Sequence, residues 1–403
     1  MKEKQKQKKW LRFRHKVITA VLRWPIALYC RLAYGLRVRK FAQQGNRPYL
    51  VLLNHQTPFD QFFAGLSFRG PVYYVATEDI FSMGWISGLI RWLVAPIPIR
   101  KQTTDITAVM TCIRVAREGG TICIAPEGNR TYSGKTEYMS PAIAALAKKL
   151  KLPIALLRIE GGYGAQPRWS DGIRRGSMQS YVSQVIEPEE VNSLSKEALM
   201  DKIRQGLFVD EGVADGRFRS NKRAEFIERA LYVCPHCGLS ELESQGNTFR
   251  CKKCGRQATY GEDKRITGDF PFEFTTQWYE YQADFINKLD VAALTQEPIY
   301  RDEAQMSRVI VYKRKELLRK TAALELYGNR VVVDPGTAQE LVLDFETASA
   351  VVVLGRNKLN IYHEGQIYQF KGSKRFCALK YVHIFHRYKN ITKGEGDSTF
   401  LGL

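Results

Sequence analysis

The sequence predicts an α/β core, preceded by a basic helical arm and followed by a β-rich region. Three observations carry this. Apolar strand-like runs alternate with helical patterns from Pro48 to about residue 190, the first fifty residues are dominated by cations, and beyond residue 260 short apolar runs between turn signals replace the alternation. With 403 residues, 44% of them hydrophobic, the chain can build packed cores, so wholesale disorder and a collagen-like repeat are excluded. At this length two or three domains are expected. No uncharged apolar run reaches the 18 residues a spanning helix needs, which argues against a polytopic membrane protein.

The arm comes first. Residues 1–50 hold 14 Lys/Arg and one acid, Glu3, a balance of +13 out of the formal +20. Such a local charge suggests an anionic partner, a membrane surface or a nucleic acid. At helical spacing Arg12, Lys16 and Arg23 share one face, and Phe13, Val17, Val21, Trp24 and Leu28 lie largely off it. Pro25 is expected to split the segment into two helices. Arg23 and Arg31 interrupt the apolar stretch 17–36, and no small-x-small cleavage pattern follows, unlike a secretory leader. The arm is therefore read as lying in the headgroup plane of a membrane, against the blander reading of an amphipathic helix packed on its own domain.

In the core, strands are expected at Tyr49–Leu53, Val72–Ala76, Thr121–Ala125, Pro153–Ile159 and Met178–Ile186. Ile106, Val109, Met110 and Ile113 mark a helix that Gly119-Gly120 ends, and Ser140-Pro141 opens another that closes on Lys148 and Lys149. This alternation predicts a mixed or parallel sheet with helices on its faces and ligands at the strand ends.

The chemistry is expected at those ends. After the first strand stands Asn54-His55-Gln56-Thr57-Pro58-Phe59-Asp60. Pro58 can open a helix that leaves His55 in the turn and Asp60 in the first helical turn, where its carboxylate can accept from one ring nitrogen. That is a base with its orienting acid and no nucleophile of its own, suited to deprotonating a substrate hydroxyl. Ala95-Pro96-Ile97-Pro98-Ile99-Arg100-Lys101 ends an apolar run with two bases, and Ala125-Pro126-Glu127-Gly128-Asn129-Arg130-Thr131 places a Glu and an Arg on a Gly turn. Leu152-Pro153-Ile154-Ala155-Leu156 begins a later strand.

These four blocks, in this order, resemble those of the 1-acylglycerol-3-phosphate acyltransferase family, the PlsC type of glycerolipid acyltransferase, over about residues 46–190. The resemblance implies transfer of an acyl group from acyl-CoA or acyl-carrier protein to the free hydroxyl of a lysophospholipid, foremost lysophosphatidic acid. It implies His55 as general base, Asp60 as its orienter, Arg100 and Arg130 on the acceptor phosphate, and Glu127 ordering an arginine or the glycerol hydroxyl beside the tight turn at Gly128. Two positions depart from the family pattern: Asn129 stands where Thr or Ser is usual, and Ala125 where an aromatic is common. Both bear on the identity of the acceptor.

The stretch Ile80–Val94 carries a single charge, Arg91. By length alone it reads as a buried core helix; beside a lipid-processing site it could instead dip into a bilayer or line an acyl groove. Gly128 to Lys135 imitates a phosphate-binding loop, but five residues separate its glycines where that loop needs four.

Cys234-Pro-His-Cys237 and Cys251-Lys-Lys-Cys254 form paired Cys-x2-Cys knuckles, the spacing of a structural zinc ribbon with four thiolate ligands. His236 is expected at the surface, and Cys30, Cys112, Cys123 and Cys377 as small core residues. The ribbon, residues 231–258, carries a balance of only +2, so nucleic-acid binding ranks behind a membrane surface. Further on, a helix at Phe274–Leu289 precedes seven strands at Arg308–Tyr312, Ala322–Tyr327, Arg330–Val333, Leu341–Phe345, Ala350–Leu354, Lys358–Tyr362 and Gln366–Phe370. Hairpin turns at Gly328-Asn329 and Gly355-Arg356-Asn357 and a closing helix near Ser373–His386 complete a pattern loosely resembling pleckstrin-homology or GRAM barrels.

The expected order is thus basic membrane-associating helices (1–45), an acyltransferase domain (46–230), the ribbon (231–258) and a β-rich domain (259–403). The expected setting is peripheral, on the cytoplasmic face of a membrane. The competing reading is a non-catalytic membrane or nucleic-acid adaptor built on the ribbon and the β-rich end.

Overall fold

The structure is a computed structural model that describes residues 9–43, 45–99, 105–310, 315–394 and 399–402, without the side chains of Glu78 and Asp79. It divides into two compact units. One comprises the chain to Arg130 together with 136–161 and 177–209; the other comprises 131–135, 162–176 and everything from Asp210 onward.

The first unit is built on a seven-stranded mixed sheet. Its strands are β1 (Leu36–Val38), β2 (Leu50–Leu53), β3 (Val72–Thr77), β4 (Ile97–Ile99), β5 (Thr121–Ile124), β6 (Ile154–Glu160) and β7 (Met178–Ile186), in the order β1-β7-β6-β2-β5-β3-β4. The strands β2 to β6 run parallel to their neighbours, and β7 runs antiparallel to β6. Every residue of β2 is buried, as a central parallel strand covered on both faces requires. Around the sheet lie α1 (Phe13–Tyr34), α2 (Asp60–Ser67), α3 (Trp85–Val94), α4 (Ile106–Arg117) and α5 (Ala142–Leu150). A four-residue turn, α6 (Gly162–Ala165), belongs to the second unit, and α7 (Pro188–Ser193) and α8 (Lys196–Leu207) return to the first. Leu50, Leu52, Ile122, Ile154 and Leu156 of the sheet pack with Val115 of α4, Ala144 and Ala147 of α5 and Ile203 of α8 in one apolar cluster.

Two expectations need correction here. Pro25 does not divide the arm: α1 is one helix of 22 residues with Pro25 inside it. The ring lies on an exposed side of the helix, so it displaces no packed neighbour, and the Arg23 guanidinium donates to the carbonyls of Leu66 and Phe68, tying the helix to the domain beside the proline. Further ties are His15 Nδ1 to Tyr73 Oη at 3.1 Å, Arg14 Nε to the Trp92 carbonyl and Trp10 Nε1 to the Ala95 carbonyl. These polar anchors face the domain, and large apolar side chains face outward: Phe13, Val21, Trp24, Leu28 and Leu32 are each more than half exposed. By length and composition α1 could cross a membrane. The second concerns α3, for which two readings stood open: it is not a core helix. Ser87 is its buried residue, whereas Trp85, Leu89 and Trp92 are exposed, and Arg14 of α1 stacks over the Trp92 ring.

The second unit contains the cysteine knuckles, a four-stranded sheet and a larger antiparallel sheet. A hairpin of β8 (Val233–Cys234) and β9 (Gly238–Leu239) precedes β10 (Leu242–Gln245), β11 (Thr248–Cys251), β12 (Gln257–Tyr260) and β13 (Ile266–Gly268). After α9 (Thr275–Lys288) come β14 (Tyr300–Arg308), β15 (Glu316–Leu326), β16 (Arg330–Val333), β17 (Leu341–Asp344), β18 (Ala348–Leu354), β19 (Lys358–His363), β20 (Gln366–Gly372) and α10 (Leu379–Lys393). The first strand of this meander pairs with the last, β14 with β20, in the order β17-β16-β15-β14-β20-β19-β18, so the sheet approaches a barrel. Phe249 and Trp278 share a core with Val331, Phe370 and Phe385, joining the knuckle region to the large sheet.

The first of these strands lies earlier than expected, at Tyr300–Arg308 in place of Arg308–Tyr312, of which residues 311 and 312 lie outside the described residues. Its inward side is only Tyr300, Ala304 and Met306 between polar neighbours, so no apolar run marks it. The closing helix lies later than expected. Phe376, Cys377 and Ala378 are buried ahead of it, and its polar last turns run on to the left-handed cap at Gly394. Cys30, Cys112, Cys123 and Cys377 are buried thiols, as expected.

Candidate functional site

Two adjacent parallel strands deliver the key turns to one place. Leu52 of β2 stands in register with Ile124 of β5, so Asn54-His55 and Pro126-Glu127 leave the sheet side by side at its carboxyl edge. Asn54 fixes its turn first. Its buried amide donates to the Ile159 carbonyl at 2.8 Å and accepts the Ile159 N–H at 2.7 Å, stapling β2 to β6 just where the chain leaves the sheet.

Asp60 opens α2 and is 1% exposed. Its Oδ2 lies 2.7 Å from His55 Nδ1 and accepts the N–H of Gln56 at 2.6 Å and of Thr57 at 2.9 Å, while Oδ1 accepts the Thr57 hydroxyl at 2.7 Å. A carboxylate that accepts so many donors leaves His55 Nδ1 as one more donor, so the lone pair of the neutral imidazole sits on Nε2. The His55 side chain is 25% exposed, open enough to meet a substrate.

Glu127 has a place that the motif alone did not give. Its Oε1 accepts the backbone N–H of His55 at 2.8 Å and its Oε2 that of Glu137 at 2.9 Å. Burial pushes this carboxyl up to about 8, the two backbone N–H donors pull it down, and the charges of Glu137 and Asp60 add to the rise. Gly128 takes φ +68°, the left-handed region, and donates its N–H to the Ala125 carbonyl, which closes the turn. Arg130 is half-buried near Tyr34 at the end of α1. Burial drives the Tyr34 hydroxyl pKa well above its ordinary value and the nearby Asp60 carboxylate adds to that, whereas the Arg130 cation opposes it. Asp60 and Arg130 therefore both act on one tyrosine, whose ring stands 5.5 Å from that of Phe59. His55, Asp60, Glu127, Gly128 and Arg130 thus gather at the carboxyl ends of β2 and β5, while Arg100 lies outside the described residues.

In the second unit the four knuckle cysteines converge. Their sulfurs all lie within 4.8 Å of one another, with Cys237 to Cys251 at 3.5 Å and Cys234 to Cys254 at 3.8 Å. Zinc held by four thiolates at about 2.3 Å sets its sulfurs about 3.8 Å apart, so this donor set fits that ion. All four are unpaired thiols, and the exposed His236 turns its Nε2 to the Asp269 carbonyl.

The model of the acyltransferase family matches residues 36–159. A chloroplastic 1-acyl-sn-glycerol-3-phosphate acyltransferase of Brassica napus is 21% identical over 164 residues, which are 40% of this chain and 46% of that protein. The chain therefore spans about half the length of this curated relative. The crystal structure of the 1-acyl-sn-glycerophosphate (LPA) acyltransferase PlsC of Thermotoga maritima covers 49% of this chain and 80% of its own, at 20% identity and a TM-score of 0.40. Residues 36–159 are thus similar to the acyltransferase family, that of the PlsC-type enzymes.

Proposed function

We propose that this protein transfers a fatty acyl group from a thioester to the free hydroxyl of a lysophospholipid, with lysophosphatidic acid as acceptor and phosphatidic acid as product. The observation that carries this is the His55–Asp60 pair, with Nδ1 held at 2.7 Å by a buried carboxylate and the imidazole partly open. His55 Nε2 removes the proton of the acceptor hydroxyl as its oxygen attacks the thioester carbonyl. Collapse of the tetrahedral intermediate expels the thiolate of coenzyme A or acyl-carrier protein, which takes the proton back from the imidazolium. Asp60 fixes the tautomer and stabilises that imidazolium. Arg130, joined by Arg100, holds the acceptor phosphate as a planar bidentate donor.

The exposed apolar side chains of α1 and α3 support a membrane setting: Phe13, Trp24 and Trp85 are each more than three-quarters exposed. A surface that carries Trp and Leu among Arg and Lys suits the headgroup region, on the cytoplasmic leaflet in this reading. Structural zinc would be held by Cys234, Cys237, Cys251 and Cys254.

The test follows labelled acyl from acyl-CoA, and separately from acyl-carrier protein, to lysophosphatidic acid, with lysophosphatidylcholine and lysophosphatidylethanolamine as alternative acceptors. Phosphatidic acid formed by the native protein and absent with His55→Ala supports the reading. Turnover that survives His55→Ala refutes the mechanism, and transfer to no lysophospholipid refutes the substrate class.

A further inference from the structure

A groove of about 670 Å³ lies between the second half of α1, the strand that follows it and α2. Arg23 and Arg31 line it from α1, Arg37 and Lys40 from β1 and its continuation, and Trp24 and Leu66 supply apolar wall. The sequence and fold together make this cluster. Arg23, Ala27 and Arg31 recur every fourth residue and so share a helix face. Gly35, at φ +64°, ends α1 and turns the chain back as β1, where Leu36 is buried and Arg37 points out. Arg31 thereby faces one space with Arg37 and Lys40, six and nine residues further along the chain.

The lining holds four cations and no carboxylate. Arg23 is committed to the carbonyls of Leu66 and Phe68, so it is part of the wall. Among the described residues, Arg31, Arg37 and Lys40 make neither an ion pair nor a side-chain hydrogen bond, and all three are exposed. Beside them, one step round the same helix, Trp24, Leu28 and Leu32 stand 78%, 58% and 69% exposed. A free phosphate would neutralise the cations and leave this apolar strip in water. A lipid anion would satisfy both, with phosphate among the cations and chains along the strip.

We propose that this groove seats the phosphate headgroup of an anionic membrane phospholipid, distinct from the acyl acceptor, and so orients the enzyme on an anionic surface. The proposal rests on the membrane reading above. It adds a discrete site to it, because three cations converging on one space bind a single headgroup more strongly than the same charges spread along a helix.

The experiment measures partition of the full chain onto vesicles of phosphatidylcholine, alone or mixed with phosphatidylglycerol. Native protein is expected to favour the mixed vesicles. The variant Arg31→Gln/Arg37→Gln/Lys40→Gln is expected to lose about 100-fold of that preference. It should keep its partition onto pure phosphatidylcholine, its zinc content and its turnover in neutral detergent micelles. The charge-matched variant Lys9→Gln/Arg12→Gln/Lys16→Gln is expected to lose far less. Equal losses in the two variants, or an unchanged preference in the first, overturn the groove while leaving membrane binding intact. Native protein that partitions onto neither vesicle overturns the membrane reading itself, and the groove with it. Turnover lost in micelles would show that these cations serve the reacting site, which also overturns the proposal.

Discussion

The backbone N–H of His55 donates to Glu127 Oε1 at 2.8 Å, so the carboxyl group of the β5 turn holds the residue proposed as the base. The second oxygen of Glu127 holds Glu137. Glu127 is therefore a positioning residue that locks the turns after β2 and β5 together. Its replacement by Gln keeps one acceptor but sets an amide N–H against one of the two donors, at a cost of about 1–3 kcal/mol. A fall in kcat with little change in the KM for acceptor is expected from steady-state kinetics.

The same residue gives stability a pH dependence. Its pKa rises from an unfolded value of 4.5 to about 8 in the folded chain, chiefly through burial. Below the unfolded value the carboxyl is protonated in both states and the burial is without penalty. As the pH climbs towards 8 the unfolded chain releases a proton that the folded one keeps, so this part of the stability is lost. Melting temperatures taken between pH 5 and 8 should fall with a steeper slope for the native protein than for Glu127→Gln.

For the proposed base and its partner, His55→Ala should lower kcat by at least about 10³-fold, the scale of a general base together with its oriented hydrogen bond. Asp60→Asn should cost nearly as much, because an amide can offer Nδ1 the wrong partner and also faces the N–H groups of Gln56 and Thr57. The double variant should be hardly worse than either single one, since the pair acts as a unit. Single-turnover measurements with saturating acceptor check all three.

Arg130→Ala should raise the KM for lysophosphatidic acid by one to two orders of magnitude, on the scale of a lost charge-assisted pair of about 1.5–3 kcal/mol. Arg130→Lys should recover only part of it, because a point charge cannot grip two phosphate oxygens in one plane. Acceptor titrations at fixed acyl donor distinguish the two variants.

Zinc is expected at one ion per chain by atomic emission. Removing it, or replacing Cys251 and Cys254 with Ser, withdraws on the order of 10 kcal/mol from the second unit. Hydrogen exchange should then rise across β8 to β12 and reach Trp278, whose indole donates to the Val233 carbonyl at 2.8 Å beside the knuckle. Unchanged protection there would show that the thiols hold no structural ion.

The second unit should also be acid-sensitive. His383 is fully buried between the hydroxyls of Tyr232, at 2.6 Å, and Tyr279, at 3.2 Å, and burial pulls its pKa from 6.5 down to about 3. A histidine held neutral in this way contributes stability that is complete above pH 6.5 and is lost as the pH falls towards 3. His383→Phe should flatten the decline in melting temperature between pH 6 and 4, although it also removes the ring nitrogens that meet the Tyr232 and Tyr279 hydroxyls and lowers stability at neutral pH.

The sequence by itself determined the local terms. Strand-forming runs, the Gly119-Gly120 stop, the hairpin turns and the Cys-x2-Cys knuckles depend on neighbours within a few residues, and so does the His55–Asp60 pair, because five residues around one helix start suffice to bring ring and carboxylate together. Only the tertiary structure decided the rest. The contact of Glu127 with His55 spans 72 residues and exists because β2 and β5 happen to be neighbours in the sheet. Strand β14 was hidden because its buried side is sparse, and α3 was left between a core helix and a bilayer or groove helix because periodicity tells how apolar a face is but not which way it turns. Likewise Pro25 signals a break, yet it stands inside one helix on an exposed side, where water can meet the carbonyl left without its N–H partner. Orientation towards solvent or core is a property of the packed chain, since it follows from what the other elements leave uncovered.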